Sequence, residues 1–201
     1  EGNWSQLRRG LAYLIHDRRA LGLVGMVAVF SLVGFPYLVL LPAFAGEVLE
    51  IGATGYGSLL SAQGFGALVA ALSLAWLGDR RHKGRWLITS RATLALALAL
   101  FAFSRSPLLS MLALALAGFS FISQLAITNT LLQLIVPDEL RGRVMSSYTW
   151  ALGGFFPLGA LLIGWLGDQL GAPQAVMLSA LACAVGVLLG WLAFPQIGRM
   201  R

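Results

Sequence analysis

Charge is scarce in this 201-residue chain: Asp, Glu, Lys and Arg make up 11% of it, where a soluble domain carries about a quarter. With 58% hydrophobic residues and so few ions, the chain has too little polar surface to meet water on every side. A soluble globule is excluded, and an integral membrane protein is expected. Cysteine is scarcer still. Cys183 stands alone in an apolar run, cannot form an intrachain disulfide and reads as a small packing residue. The two histidines, His16 and His82, fall in polar segments, and there is no H-E-x-x-H, no Cys/His pair and no pair of acids inside an apolar run. Intramembrane metal or acid chemistry has no residues to work with, so neither an enzyme nor a cofactor is expected. A G-x-x-x-x-G-K loop is missing too, so any driven process would draw on an ion gradient rather than ATP. The start has no secretory signal pattern and begins at Glu1 instead of Met, which suggests a piece of something longer.

What is present is apolar sequence in six runs, each close to the ~20 residues that cross a bilayer: 21–42, 56–77, 87–104, 107–136, 144–166 and 173–194. The third and sixth have almost no polar atoms and read as lipid-facing. The net charge of +6 does not point to nucleic acid, because the basic residues sit in short clusters between the runs with no aromatic interleaving. Their placement sets an orientation instead. With the amino-terminal segment in the cytoplasm, 13 of the 14 Lys and Arg residues fall on that side and only Arg105 falls outside. Six crossings of the cell (inner) membrane with both ends cytoplasmic is the expectation; Arg91, about one turn inside the third run, is expected to snorkel to the cytoplasm. Residues 1–19 read as an amphipathic linker helix, 20–196 as the six-helix domain and 197–201 as a cytoplasmic tail. Ser106 before Pro107 suits a capped helix start, and 43–55 reads as the longest outer connection, carrying Glu47 and Glu50.

Two patterns bear on function. The tetrapeptide W-L-G-D closes the second run at Trp76 and the fifth at Trp165, on opposite faces of the membrane, as two inverted three-helix units would place it. The fourth run carries amides and hydroxyls, with Ser120, Gln124 and Thr128 one helical turn apart and Phe121 and Asn129 beside them. In hydrocarbon each unpaired polar group costs free energy, so these groups must face protein or water.

Three stretches carry a family resemblance: L-R-R-G-L-A-Y-L-I-H-D-R-R near the start, L-G-D-R-R-H-K-G-R after the second run, and N-T-L-L-Q-L-I-V-P-D-E-L-R-G-R-V-M-S followed by P-L-G-A-L-L-I-G-W-L-G-D. Over essentially its whole length the sequence resembles the carboxy-terminal six-helix half of a major facilitator superfamily transporter, near the enterobactin exporter and the macrolide efflux proteins. The second stretch departs from the superfamily pattern, with Ala75 where a glycine is usual and the Gly84-Arg85 pair late. The resemblance implies an all-α polytopic bundle, half of a transporter that exports drugs, siderophores or similar amphiphilic molecules by alternating access, as a proton-coupled antiporter. It implies as partners a small-molecule substrate, membrane lipid and a missing amino-terminal half, or a second copy. It also implies cavity-lining first and fourth helices, which makes Phe30, Tyr37, Ser120, Phe121, Gln124, Thr128 and Asn129 candidate substrate contacts, with Gln63 of the second run beside them. Asp79, Arg80, Arg141 and Arg143 become candidate gate residues, and Gly66, Gly154 and Gly159 candidate small-residue surfaces between halves. The competing reading from another class is a membrane scaffold that binds a partner and moves nothing.

Overall fold

The computed structural model describes residues 13–77 and 83–200, and everything regular among them is helical. Six spans long and apolar enough to cross a membrane follow one another: Arg18–Val48, Gly52–Leu77, Lys83–Phe103, Pro107–Ile135, Asp138–Leu170 and Ala172–Ala193. All six expected runs are there, with starts three to six residues earlier for the first, second, third and fifth. The described connections between spans are one to three residues long, so sequence neighbours run antiparallel and the spans alternate in direction. The second and fifth spans therefore end on opposite faces, and so do Trp76 and Trp165 of the two W-L-G-D corners.

Packing repeats the same symmetry. The second span lies along the fourth as the fifth lies along the first; the third meets the fourth, the sixth meets the first, and third and sixth meet each other. Exchanging each span with the one three places away maps these contacts onto one another, as two inverted three-helix units do, while the fifth and sixth spans touch in addition. Glycine makes the two crossings possible. A methyl on Gly66 would overlap the backbone of Ala115, one on Gly118 the Gln63 carbonyl, and one on Gly159 the Leu32 carbonyl. Backbones this close gain dispersion that bulkier side chains would forbid.

The first span is not one helix. Ordinary α-helix ends at Val33, Gly34 and Phe35 form the break, Pro36–Leu40 winds as 3-10 helix, and Phe44–Val48 as a π turn. Pro36 has no N–H to donate, and the irregular winding follows. The span runs on to Val48, so the expected outer connection shrinks to a tight turn at 49–51, where Glu50 takes a positive φ of 54°. Glu47 lies on the helix. Ser106 occupies the position before the fourth span in extended conformation, yet its hydroxyl caps nothing. The serines there bond one another instead, Ser110 Oγ to Ser104 Oγ at 2.9 Å and Ser104 Oγ to the Ser106 carbonyl at 3.0 Å.

The face where the first span begins is tied by the chain ends. Tyr13 donates to Asp17 Oδ2 at 3.1 Å and to the Ile135 carbonyl at 3.3 Å, docking the approach to the first span on the end of the fourth. Partial burial, with the Asp17 carboxylate beside it, pushes the Tyr13 phenol up. Asp17 caps the first span through the N–H groups of Arg19 and Ala20. At the other end, the residues expected as the cytoplasmic tail fold back: Ile197 is buried, and the Gly84 N–H donates to the Met200 carbonyl at 3.1 Å.

Candidate functional site

A side chain on a membrane span can point at lipid, at its own bundle or at an open face, and polar atoms are informative only in the last two. Ser120, Gln124 and Thr128 point into the bundle, all at least 97% buried. The Ser120 hydroxyl returns to the Leu116 carbonyl of its own helix at 2.8 Å, while Gln124 Nε2 and Thr128 Oγ1, with Ser123 Oγ, have no hydrogen-bond partner among the described residues. The stripe expected as cavity wall is thus an internal polar seam. One register step around the same helix is the exposed face: Asn129 is half-buried and Thr130 and Gln133 are exposed. Gln133 Nε2 donates to Asn129 Oδ1 across one turn, and Thr130 Oγ1 to the Ala126 carbonyl at 2.9 Å.

The other expected contacts divide similarly. Phe121 meets Phe35 of the broken first span edge to face, ring centroids 4.2 Å apart. Tyr37 is buried and Gln63 sits in the crossing with the fourth span, the Tyr37 hydroxyl and Gln63 Oε1 both without a hydrogen-bond partner among the described residues. Phe30 is turned away, into the core under the Arg91 guanidinium, 5.7 Å from ring centroid to Cζ. Arg91 itself corrects a sequence expectation. It does not snorkel: it is 1% exposed and donates to the Met26 sulfur at 2.8 Å. Met26, Ile88, Val187 and Phe194 are among the apolar residues around it.

Among the expected gate residues, Asp79 and Arg80 lie outside the described residues. Arg141 pairs with Asp138 at 2.5 Å and donates to the Gln133 carbonyl at 3.1 Å, closing the turn between the fourth and fifth spans. That is a local C-cap. Arg143 is half-buried in the first turns of the fifth span. Gly66 and Gly159 serve crossings inside this bundle, so the expectation that they form a surface between halves does not describe their contacts. Gly154 lies against the ring of Trp150 on its own helix, near the break at Phe155. The third span is also more interior than its composition suggests, half of its most apolar stretch being buried. Leu94, Ala97, Leu98 and Phe101 face the bundle while Leu96 and Phe103 face out.

Sequence reasoning missed two ties made by the fifth span. Ser31 Oγ donates to the Leu152 carbonyl, and Tyr148 Oη to the Leu125 carbonyl at 3.3 Å, so the fifth span is pinned to the first and the fourth. A tyrosine inside a run of small and hydroxyl residues was the available signal.

The second and fifth spans remain the open ones. Only 17% of the most apolar stretch of each is buried, against 61% in the first span. Their exposed side chains include Phe65, Leu68, Leu72, Leu161 and Trp165.

Six spans in two inverted units, with polar side chains held at bilayer depth, define a half of a membrane transporter fold. Residues 3–198 match the family described as transmembrane secretion effector, a branch of the major facilitator superfamily, and the chain belongs to that family. It is also 33% identical over 121 residues to the multidrug efflux pump Tap of Mycolicibacterium fortuitum. That match covers 59% of this chain and 29% of the pump, so the chain aligns with less than a third of its relative's length.

The internal seam gives a first test. Gln124→Leu removes a buried amide nitrogen that has no partner, and is expected to leave the melting temperature of the detergent-solubilised protein unchanged or a few degrees higher. Gln124→Glu should lower it. A marked loss of stability in the leucine variant would mean that the amide is satisfied in the membrane.

Proposed function

We propose that this chain forms one wall of a secondary active exporter of drugs, siderophores or other amphiphilic small molecules, working by alternating access in the cell (inner) membrane with both termini cytoplasmic. The observation that carries the reading is the exposed polar strip of the fourth span, where Asn129, Thr130 and Gln133 stand some 5–6 residues and fewer from the helix end at Ile135. Such groups are costly against hydrocarbon and suit a watered cavity. The unburied faces of the second and fifth spans would close against a second six-helix half, supplied by the rest of a longer protein or by another copy. Within this proposal 1–19 serves as the cytoplasmic linker, 20–196 as the six-helix half and 197–201 as a cytoplasmic tail, whose Ile197 packs on the bundle.

The described spans carry no Asp or Glu in their central turns; Glu47, Asp138, Glu139 and Asp168 all lie near span ends. A proton-coupling carboxylate, which an antiporter needs, would therefore come from the opposite half. The internal seam of Gln63, Ser120, Gln124 and Thr128, with Tyr37 and Phe121, would act as a secondary layer behind the strip, reached when the first span rewinds. Asp79, Arg80 and Arg143 would act as gate residues on the cytoplasmic side, with Arg141 bracing the turn between the fourth and fifth spans.

The test is efflux of an amphiphilic fluorescent dye from loaded cells that express the complete reading frame, with and without a protonophore. Gradient-dependent efflux supports the exporter. Dye retention equal to that of cells without the gene, over a panel of cationic and neutral dyes at normal expression, would favour the scaffold reading instead.

A further inference from the structure

Among the described residues Arg91 is a charge without a counter-charge. Arginine stays protonated in proteins and offers five N–H donors. Here a thioether, a weak acceptor, takes one of them, the Phe30 ring lies beneath, and Nε and Nη2 are buried with no partner among the described residues. Leaving a guanidinium so placed is expensive unless an anion reaches it. The group borders a cavity of about 10 Å³ lined by Met26, Ile88, Val187, Gly190, Trp191 and Phe194, together with Ile197. Apart from the Met26 sulfur, none of those side chains is an acceptor. The space admits one oxygen-sized group.

A second cavity continues from the first. Val187 lines both, and Ala92 follows Arg91 directly. This groove, about 310 Å³, runs between the third and sixth spans and is walled by Ala95, Leu96, Ala99, Ala180, Leu181 and Ala184. Along the third span it leads from the Arg91 level across the middle of the helix, since Ala99 lies eight residues, or ~12 Å, further on and four residues from the end at Phe103. Arg91 in turn stands eight residues inside the start of its span at Lys83. The half-exposed Trp191 marks the interfacial level on the neighbouring helix.

We propose that the third and sixth spans hold one anionic glycerophospholipid between them, a phosphate oxygen against Arg91 and an acyl chain in the alanine-lined groove. The anion supplies the acceptor and the charge the guanidinium lacks. Alanine at successive turns of both helices supplies the depth for a hydrocarbon chain. The bound lipid would couple the Arg91 level of the third span to Met26 and Phe30 of the first, the span that breaks at Gly34.

The experiment uses the intact protein, purified, delipidated and titrated with phosphatidylglycerol, with phosphatidylcholine of the same acyl chains, and with inorganic phosphate. Native mass spectrometry reads bound lipid and thermal melting reads stabilisation. One phosphatidylglycerol per copy is expected to bind at least about tenfold more tightly than phosphatidylcholine, a ratio set by the uncompensated charge. Arg91→Gln should abolish that preference and Arg91→Lys retain part of it. Ala184→Trp, at an exposed position that cannot disturb the core, should fill the groove and weaken lipid binding with Arg91 intact. Equal binding of the two lipids, or an Ala184→Trp protein that binds as the parent does, would overturn the proposal. So would stabilisation by inorganic phosphate equal to that by lipid, which would make this a free-anion site.

Discussion

Gly66→Ala is expected to cost most of the folded protein, although it adds a single methyl to a helix. The added carbon would meet the carbonyl, carbonyl carbon and Cα of Ala115, all backbone, so no rotamer change on either helix relieves it. The spans must separate, and the close contact along the second and fourth helices is lost with them. Overpacking of this kind costs roughly 1–3 kcal/mol or more, a large fraction of the stability of any domain. Gly159→Ala, facing the Leu32 carbonyl, should behave the same way at the matching crossing of the other repeat. Gly64→Ala is the control. Two residues from Gly66, it meets nothing within 4 Å and should be neutral or mildly stabilising, since alanine favours helix over glycine by roughly 1 kcal/mol. Yield of monodisperse protein and melting temperature in mild detergent read the difference. If Gly66→Ala and Gly64→Ala behave alike, the two backbones do not approach in the membrane.

The second large effect falls on transport. Replacing Asn129 by Leu removes the acceptor that holds Gln133 Nε2 and turns the exposed strip apolar, while disturbing little that is buried. Efflux through the intact protein is expected to fall by about tenfold or more, the effect of one charge-free polar contact and its orienting partner. Melting temperature should stay within a degree or two. Gln133→Leu should mimic it, and the double variant should be no worse than either alone, because the two side chains act as a unit. Additive losses, or full activity in Asn129→Leu, would move the substrate path off this face. The contrast with Gln124→Leu then separates strip from seam.

How far the sequence carried the reader depends on what kind of information each feature needs. Span number, alternation and the two inverted units followed from run length and from Trp76 and Trp165, since burial in lipid leaves a backbone few options but the helix. The facing of individual side chains did not follow. Gln124 and Asn129 differ by about 140° around one helix, and which of them looks into the bundle is decided by where the second and third spans lie. Gly66 was recognised as a site of close approach, but a small residue does not say which helix approaches. Arg91 was misjudged because a long side chain one or two turns from a helix end can reach either way. Only Met26, Phe30 and the closing turn at Ile197, from remote parts of the chain, show which way it went.

The interrupted first span has a mechanical consequence. Five residues of 3-10 helix at Pro36–Leu40 advance about 2.0 Å each and turn about 120° each, against 1.5 Å and 100° in α-helix. Rewinding them would retract the outer end by ~2.5 Å and swivel it by roughly 100°. Phe44, stacked on Phe101 with centroids 4.2 Å apart, would have to leave its seat. A change of pitch in one short stretch would thus act as a screw, turning a small axial stroke into a new set of side chains presented to the interior.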